Sequence, residues 1–205
     1  MISVAEAHKI IQDRIRSPEA EIVKVNDATG RVLAREIVAT FPQPRFDNTA
    51  MDGFAVRARD TIGASADLPV TLSMKGVIPA GSSADTVIGK GECCQIMTGA
   101  PIPEGADAVV VVEESSGFSN NRSVEVFREA TDGENIRYGG EEIAEGETLI
   151  RPGNRLGAGE IGVAATFGFG ELEVYRRPNI SLFATGDELI EPGEELKPGQ
   201  IYNSN

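Results

Sequence analysis

Basic residues, cysteine and histidine are scarce in this chain of 205 residues. Lys and Arg together number 19 against 32 Asp and Glu, which gives a formal net charge of −13. Nucleic acids and anionic membrane surfaces are bound through basic patches, so this charge argues against both as partners. An anionic substrate stays compatible with the charge if local cations, backbone amides or a metal ion bind it.

The few cysteines and the single histidine limit disulfide and zinc chemistry. Cys93 and Cys94 are adjacent, and neighbouring cysteines rarely bridge each other. They lie in a strand-like run, where we expect them to be small apolar residues of a sheet. A zinc site needs more ligands than His8 can add. This cysteine content predicts a reducing, cytoplasmic setting.

Long apolar runs are also missing. No stretch reaches the ~18 to 20 apolar residues that a transmembrane helix needs, so the sequence predicts no membrane span. The length allows one or two hydrophobic cores of ordinary size. The chain is therefore expected to bury its apolar residues in one or two compact domains.

Local patterns predict a helix at the start of the chain. Ser3 and Glu6 have the spacing of a capping box, and the helix should end near Arg16, before a Ser-Pro pair. Its apolar face would be formed by Val4, Ala7, Ile11 and Ile15. A run of small residues at 159–167 predicts a second helix that packs closely.

The middle of the chain has the pattern of an all-β domain. Strand-like runs occur at 70–74, 92–97, 108–112 and 123–127. Glycine, proline and asparagine turns separate them, including one at 119–121, and the even spacing favours a small barrel or sandwich. Residues 109–112 are apolar without alternation, which indicates that both faces of that strand are buried.

An apolar run at 179–185 ends in Thr-Gly-Asp-Glu. This pattern is typical of the first strand of an α/β domain, with a binding loop at the carboxyl end of the strand. Such a domain needs several more strands and helices. We therefore expect residues 176–205 to be only the opening of a domain.

The most informative stretch is Asp47-Asn48-Thr49-Ala50-Met51-Asp52-Gly53-Phe54-Ala55-Val56-Arg57. Two prolines at 42 and 44 keep the preceding chain extended, and a strand follows at 54. The Asp52-Gly53 pair predicts a turn that presents one carboxylate. Taken alone, an Asp-Gly pair is most often a purely structural turn.

Other motifs follow this stretch in a particular order. They are MTGAPIPEGADAVV at 97–110, NIR at 135–137, GEE at 140–142, ATGDEL at 184–189 and GQIYNSN at 199–205. Together they resemble the molybdopterin molybdenumtransferase family, which includes bacterial MoeA and the E domain of eukaryotic gephyrin. The resemblance runs from the first helix to the last residue, although family members are considerably longer.

The resemblance implies an α+β, mostly β architecture. An elongated mixed domain, residues 1–45 and 133–175, would be interrupted by an inserted β domain at 46–132. The opening of an incomplete molybdopterin-binding α/β domain would follow at 176–205. The family also implies a homodimer that is built mainly through the elongated domain.

The activity implied by the resemblance is a step of molybdenum cofactor biosynthesis. Family members transfer molybdenum from molybdate to adenylylated molybdopterin and release AMP, assisted by Mg²⁺ or Zn²⁺, and molybdopterin adenylyltransferase is the implied partner. We expect the present chain to be inactive by itself, because the family residues that hold molybdopterin would lie beyond residue 205. The alternative is a non-catalytic scaffold, as in the receptor clustering by gephyrin.

The matching positions give candidate site residues. The resemblance implies catalytic roles for Asp52, Thr98, Glu142 and Glu188, and substrate binding for Arg137 and Thr98. Three carboxylates, Asp52, Glu142 and Glu188, are the implied metal ligands, since hard cations prefer carboxylate oxygens. Glu142 departs from the family pattern, which has Asp there, and the extra methylene shifts the carboxylate by an amount to which catalytic sites are sensitive.

Each candidate also has a purely structural interpretation. Thr98 could satisfy backbone groups at a turn, and Arg137 could be an ordinary ion-pair partner in an acidic chain. Glu142 belongs to a run of acidic residues, and such runs are usually solvated surface. Sequence alone leaves both interpretations open.

Overall fold

A computed structural model describes residues 2–119 and 122–204 as a mostly β chain with two α-helices. The helices are α1 (Val4–Arg14) and α2 (Ala158–Thr166). The strands, in chain order, are β1 (Ala20–Lys24), β2 (Ile37–Val38), β3 (Asn48–Thr49), β4 (Gly53–Val56), β5 (Val70–Ile78), β6 (Glu92–Ile96), β7 (Ala108–Val111), β8 (Ser123–Val126), β9 (Ile136–Arg137), β10 (Thr148–Ile150), β11 (Glu171–Tyr175), β12 (Leu189–Ile190) and β13 (Ile201–Tyr202). The turn predicted at 119–121 lies partly outside the described residues.

The chain divides into two compact units. The first unit comprises Met1–Arg35, Pro152–Ala165 and Phe169–Asn205, and the second comprises Glu36–Arg151 and Thr166–Gly168. In the described part of the chain, neither helix is long and apolar enough to cross a bilayer. The domain boundaries given by the family resemblance stay a prediction.

Helix α1 of the first unit begins with the predicted capping box. The Glu6 amide donates to the Ser3 hydroxyl at 3.2 Å, and the Ser3 amide donates to the Glu6 carboxylate at 3.2 Å. The helix ends at Arg14 rather than near Arg16, because Ile15 already adopts an extended conformation (ψ 130°) ahead of Pro18. No residue of α1 is buried, so its apolar face is exposed.

A two-stranded antiparallel ladder anchors the first unit. Strand β1 pairs with β11 along its whole length, from Ala20 opposite Tyr175 to Lys24 opposite Glu171. Apolar residues beside this ladder are buried, namely Leu33, Leu156, Leu172 and Val174. These residues form the small core of the unit.

The predicted strand at 179–185 is not formed. Residues 179–185 form no strand, and Ile180 and Phe183 are more than four-fifths exposed. A strand persists only when a neighbour satisfies its backbone groups, and no described strand pairs with this run. Downstream, the short strands β12 and β13 pair in parallel.

The second unit is built on a five-stranded sheet with the order β7-β4-β6-β5-β8. Phe54, Val56 and Cys93 belong to one buried cluster, whereas Ala55 and Cys94 belong to another. Neighbouring residues of a strand point to opposite faces, so both faces of this sheet are covered. Beyond β7, Ser115 bridges Val126 of β8. The choice between a barrel and a sandwich stays a prediction.

The buried cysteines fit their predicted place in a sheet. Both are free and fully buried, in separate clusters. Burial, with a smaller contribution from neighbouring Cys94, raises the pKa of Cys93 to about 12. The Cys93 thiol therefore stays protonated and unreactive at neutral pH.

Candidate functional site

Strand β3 of the second unit lies between the segments that carry Asp52, Thr98 and Arg137. On one side, the Thr49 amide donates to the Ala100 carbonyl at 3.1 Å, and the Gly99 amide donates to the Thr49 carbonyl at 2.9 Å. On the other side, β3 pairs with β9, which places Arg137 opposite Asn48. Three segments that are distant in sequence thus meet at β3.

Thr98 lies in a tight turn at the end of strand β6. The Ala100 amide closes the turn by donating to the Met97 carbonyl at 2.8 Å. Gly99 has φ +81°, a left-handed conformation that favours glycine and is typical of the third position of a type II turn. This turn fixes the direction of the Thr98 side chain and amide.

Asp52 and Thr98 form the central contact of the site. The Thr98 amide and hydroxyl both donate to Oδ1 of Asp52, each at 2.7 Å. These hydrogen bonds hold the pKa of Asp52 below its ordinary value. The bond from the backbone amide contributes most, and the bond from the hydroxyl contributes less. No described residue donates to Oδ2, and the Asp52 side chain is exposed. Asp52 is therefore a charged carboxylate with one oxygen directed to solvent.

Gly53 has a different role from the turn residue that the sequence predicted. It is the first residue of β4 and pairs with both Ile96 of β6 and Val111 of β7. A Cβ atom at this position would lie 2.0 Å from the Val110 carbonyl oxygen. Glycine is needed because the backbone of β7 passes close by, and the chain bends at Met51 and Asp52 instead.

The structure places the remaining predicted residues separately. Arg137 is exposed on β9. Glu142 is exposed in a loop, and its backbone amide donates to the Gln43 carbonyl at 3.0 Å. In the described residues, no side-chain hydrogen bond or ion pair joins either of them to Asp52. Glu188 is exposed and belongs to the first unit. Among the predicted residues of the second unit, the contacts of the described residues join only Asp52 and Thr98 directly.

Two further residues contribute to the site near β3, and the sequence motifs do not single them out. Asp47 accepts a hydrogen bond on Oδ1 from the Gly139 amide at 2.7 Å, which ties the start of the Asp52 loop to the segment after β9. Asn135 has a left-handed backbone (φ 57°), and its side-chain Nδ2 donates to the Val109 carbonyl at 2.8 Å. Asparagine adopts a left-handed backbone more readily than most residues. The asparagine at the start of the motif at 135–137 is therefore the sequence feature that could have indicated this conformation.

Metal ligands do not gather within the described part of the chain. Among residues 2–119 and 122–204, no group of three or more His, Cys, Asp or Glu side chains is arranged to hold a metal ion. Asp52 by itself fits a common mode of Mg²⁺ binding, in which one or two carboxylates act together with oxygens of a substrate phosphate. A metal here would need ligands besides Asp52.

The hydroxyl of Thr98 is expected to influence the pKa of Asp52. We expect Thr98→Val to raise the pKa of Asp52 while leaving it below the ordinary value, because the backbone amide still donates. Thr98→Ser keeps the hydroxyl and should leave the pKa unchanged. A carbon-detected NMR titration of the Asp52 carboxyl measures both variants, and equal pKa values in Thr98→Val and the parent would contradict this assignment.

The same lowered pKa has a consequence for stability. Because the folded state binds the Asp52 proton less tightly than the unfolded chain, the carboxylate favours folding at pH values above its ordinary pKa. This contribution is lost as the pH falls through the lowered, folded-state pKa. Asp52 is fully exposed, so we expect the contribution to be small.

The fold and the site together define a mostly β protein with a charged, exposed carboxylate set by a threonine turn. The family model described as the MoeA N-terminal region (domain I and II) matches residues 2–168. The chain therefore belongs to the MoeA family, through its N-terminal region.

Similar proteins agree with this family. The chain is 41% identical over 205 residues to molybdopterin molybdenumtransferase 2 of Mycobacterium tuberculosis and 39% identical over 208 residues to molybdopterin molybdenumtransferase of Staphylococcus epidermidis, covering all of this chain and 50% and 48% of those proteins. A crystal structure of the molybdopterin biosynthesis MoeA protein from Pyrococcus horikoshii has a TM-score of 0.83 and 34% identity, with 95% of this chain and 52% of that chain covered. The chain spans about half the length of these relatives.

Proposed function

We propose that this chain forms part of a molybdenum insertase, which transfers molybdenum from molybdate to adenylylated molybdopterin with release of AMP. The observation that carries the proposal is the charged Asp52 carboxylate, held by Thr98 within the segment that the family model matches. Relatives named molybdopterin molybdenumtransferase support the same reaction class.

The chemistry of the proposed reaction explains the need for a charged carboxylate. Cleavage of the adenylyl linkage leaves negative charge on the departing oxygens, and a divalent cation such as Mg²⁺ or Zn²⁺ offsets that charge when bound. Asp52 would offer Oδ2 to the cation, while Thr98 fixes the orientation of the carboxylate. Glu142 and Glu188 are the further ligands proposed from the family resemblance.

Arg137 is the proposed anion-binding residue of this site. It is exposed on β9, and no ion pair of its guanidinium occurs in the part of the chain that the structure describes. Its forked N–H donors suit two oxygens of a phosphate or of molybdate. Arg137 would thus bind substrate, and Thr98 would act on the substrate through Asp52.

The scaffold function remains the second candidate. A scaffold has no need of a carboxylate whose pKa is lowered by two hydrogen bonds from one turn residue. The Asp52–Thr98 contact therefore favours the enzyme over the scaffold.

An experiment in cells separates the two functions. Residues 1–205 would be joined to the half of the Mycobacterium tuberculosis relative that this chain does not cover, and the chimera would be expressed in a bacterium that lacks its own molybdenumtransferase. The enzyme proposal predicts that molybdenum-dependent enzyme activity returns. A folded chimera that restores none, beside a full-length relative that does, would favour the scaffold.

We also propose that the chain forms a homodimer through the elongated domain, residues 1–45 and 133–175. The apolar face of α1 supports this, because Val4 is 88% exposed and Ile11 is 55% exposed.

Molybdopterin adenylyltransferase, which would supply the substrate, is the proposed heterologous partner. The cytoplasm is the proposed location.

The dimer proposal predicts a defined effect of one substitution. Ile11→Asp places a charge on the apolar face of α1 and should convert the dimer into a monomer in sedimentation velocity. Gln12→Asp changes the charge equally but lies off the apolar face, so this variant should stay dimeric. A parent chain that sediments as a strict monomer at high concentration would contradict the dimer.

A further inference from the structure

A cavity of about 280 Å³ opens in the first unit, beside the ends of strands β1 and β11. Its walls include the apolar side chains of Pro18 and Val32 and the ring of Tyr175. Three cationic side chains also line it, namely Arg31, Arg176 and Arg177. The volume lies just below the ~300 Å³ at which small-molecule pockets begin. None of these residues belongs to the Asp52 site, so the cavity is independent of the function proposed above.

Arg31 is the unusual member of this lining. Its side chain is only 9% exposed, and it pairs with Glu21 and donates from Nη2 to the Tyr175 carbonyl oxygen at 2.7 Å. Its Nε atom is buried, and none of the described residues accepts a hydrogen bond from it. This atom is closed to solvent, so the donors available to a ligand in the cavity must come from other side chains.

The other two arginines have uncommitted donors. Arg176 approaches Glu21 only to 3.7 Å and Glu19 only to 3.9 Å, distances too long for hydrogen bonds. Arg177 lines the cavity and has no ion pair in the described parts of the chain. Three arginines facing two glutamates leave this place positively charged, in a chain whose net charge is −13.

We propose that this cavity binds a small organic anion, with a phosphate or carboxylate group joined to an apolar body. The anionic oxygens would accept from the exposed guanidinium groups of Arg176 and Arg177, since arginine binds both kinds of anionic group through paired N–H donors. The apolar body would contact Pro18 and Val32. A free inorganic anion would satisfy the donors but leave these walls in contact with water.

Amide NMR of the full chain tests this proposal with simple probes. Phenyl phosphate and benzoate carry the two kinds of anionic group on one apolar ring, and phenol is the matched neutral compound. We expect saturable shifts of the Gly30 and Val32 amides with at least one of the anions, and none with phenol. Shifts that scatter over the chain, or that fail to saturate with either anion, would overturn the proposal.

Two variants separate a built site from general electrostatic attraction. Arg177→Gln should weaken binding of the better probe about tenfold, because one charge-assisted contact is lost. Arg151→Gln removes the same charge from an exposed position outside the cavity and should leave binding unchanged. Equal binding in Arg177→Gln and the parent would also overturn the proposal.

Arg31→Lys tests the cavity wall that Arg31 forms. Lysine keeps the charge beside Glu21 but lacks the guanidinium that donates to both Glu21 and the Tyr175 carbonyl, so the wall should shift and binding should weaken while the circular dichroism spectrum stays native. If this variant unfolds, the Arg177→Gln comparison alone decides the outcome. Unchanged binding in folded Arg31→Lys would exclude Arg31 from the site.

Discussion

Replacing Asp52 with Asn is expected to reduce molybdenum transfer by about 100-fold in the chimera, the typical cost of removing one preorganised electrostatic group. Asparagine has nearly the same shape, and its carbonyl oxygen can still accept both hydrogen bonds from Thr98. The loop should therefore keep its conformation while the charge is lost. The initial rate of molybdenum transfer is the quantity to measure.

The control for this variant is Glu113→Gln. Glu113 is exposed in a short 3₁₀ helix, Val112–Glu114, that follows β7. Its substitution removes the same charge. We expect transfer rates close to the parent for this control and similar melting temperatures for all three proteins. If Asp52→Asn transfers molybdenum at a rate close to that of the parent, the charge of Asp52 is not needed for the reaction.

Replacing Gly53 with Ala is expected to cause the largest loss of stability. The new methyl group would lie 2.0 Å from the Val110 carbonyl oxygen and 3.0 Å from the Val111 Cα atom. Both contacts are with backbone, which cannot turn aside as a flexible side chain would. Separating β4 from β7 in the middle of the sheet should cost about 3 kcal/mol or more, a large fraction of the stability of a typical domain.

Gly76 provides the matched control for this variant. It also lies in a strand of the same sheet, but a Cβ atom there would have no neighbour within 4 Å. Gly76→Ala should change the free energy of unfolding by less than about 1 kcal/mol. Urea unfolding measures both variants, and similar stabilities for Gly53→Ala and Gly76→Ala would refute the close approach of β7.

Features that depend on neighbouring residues in sequence could be predicted well. The Ser3–Glu6 capping box and the burial of both cysteines follow from patterns a few residues long, and the structure has both. The Ser-Pro pair predicts the end of α1 two residues too late, since Ile15 leaves the helix while Pro18 is still three residues away. Helix ends depend on weak preferences of single residues.

Features that depend on pairing across the chain could not be read from local pattern. Nothing near Gly53 in sequence indicates that the Val110 carbonyl lies beside it, so the local pattern of the Asp-Gly pair predicts a turn. Likewise, the pattern at 179–185 suits a strand, but a strand also needs a partner. The Asp52–Thr98 contact joins residues 46 positions apart, and only the family resemblance had linked them.

Asp52 is proposed to be the charged carboxylate of a molybdenum transfer site to which this chain contributes. The most direct test is to supply the purified chimera with molybdate and adenylylated molybdopterin, and to measure AMP and molybdenum-loaded product in the same sample. AMP and the molybdenum-loaded product should form in equal amounts, and the yields of both should fall together in Asp52→Asn. Product formation that is equally fast with Asn at position 52 would contradict this proposal.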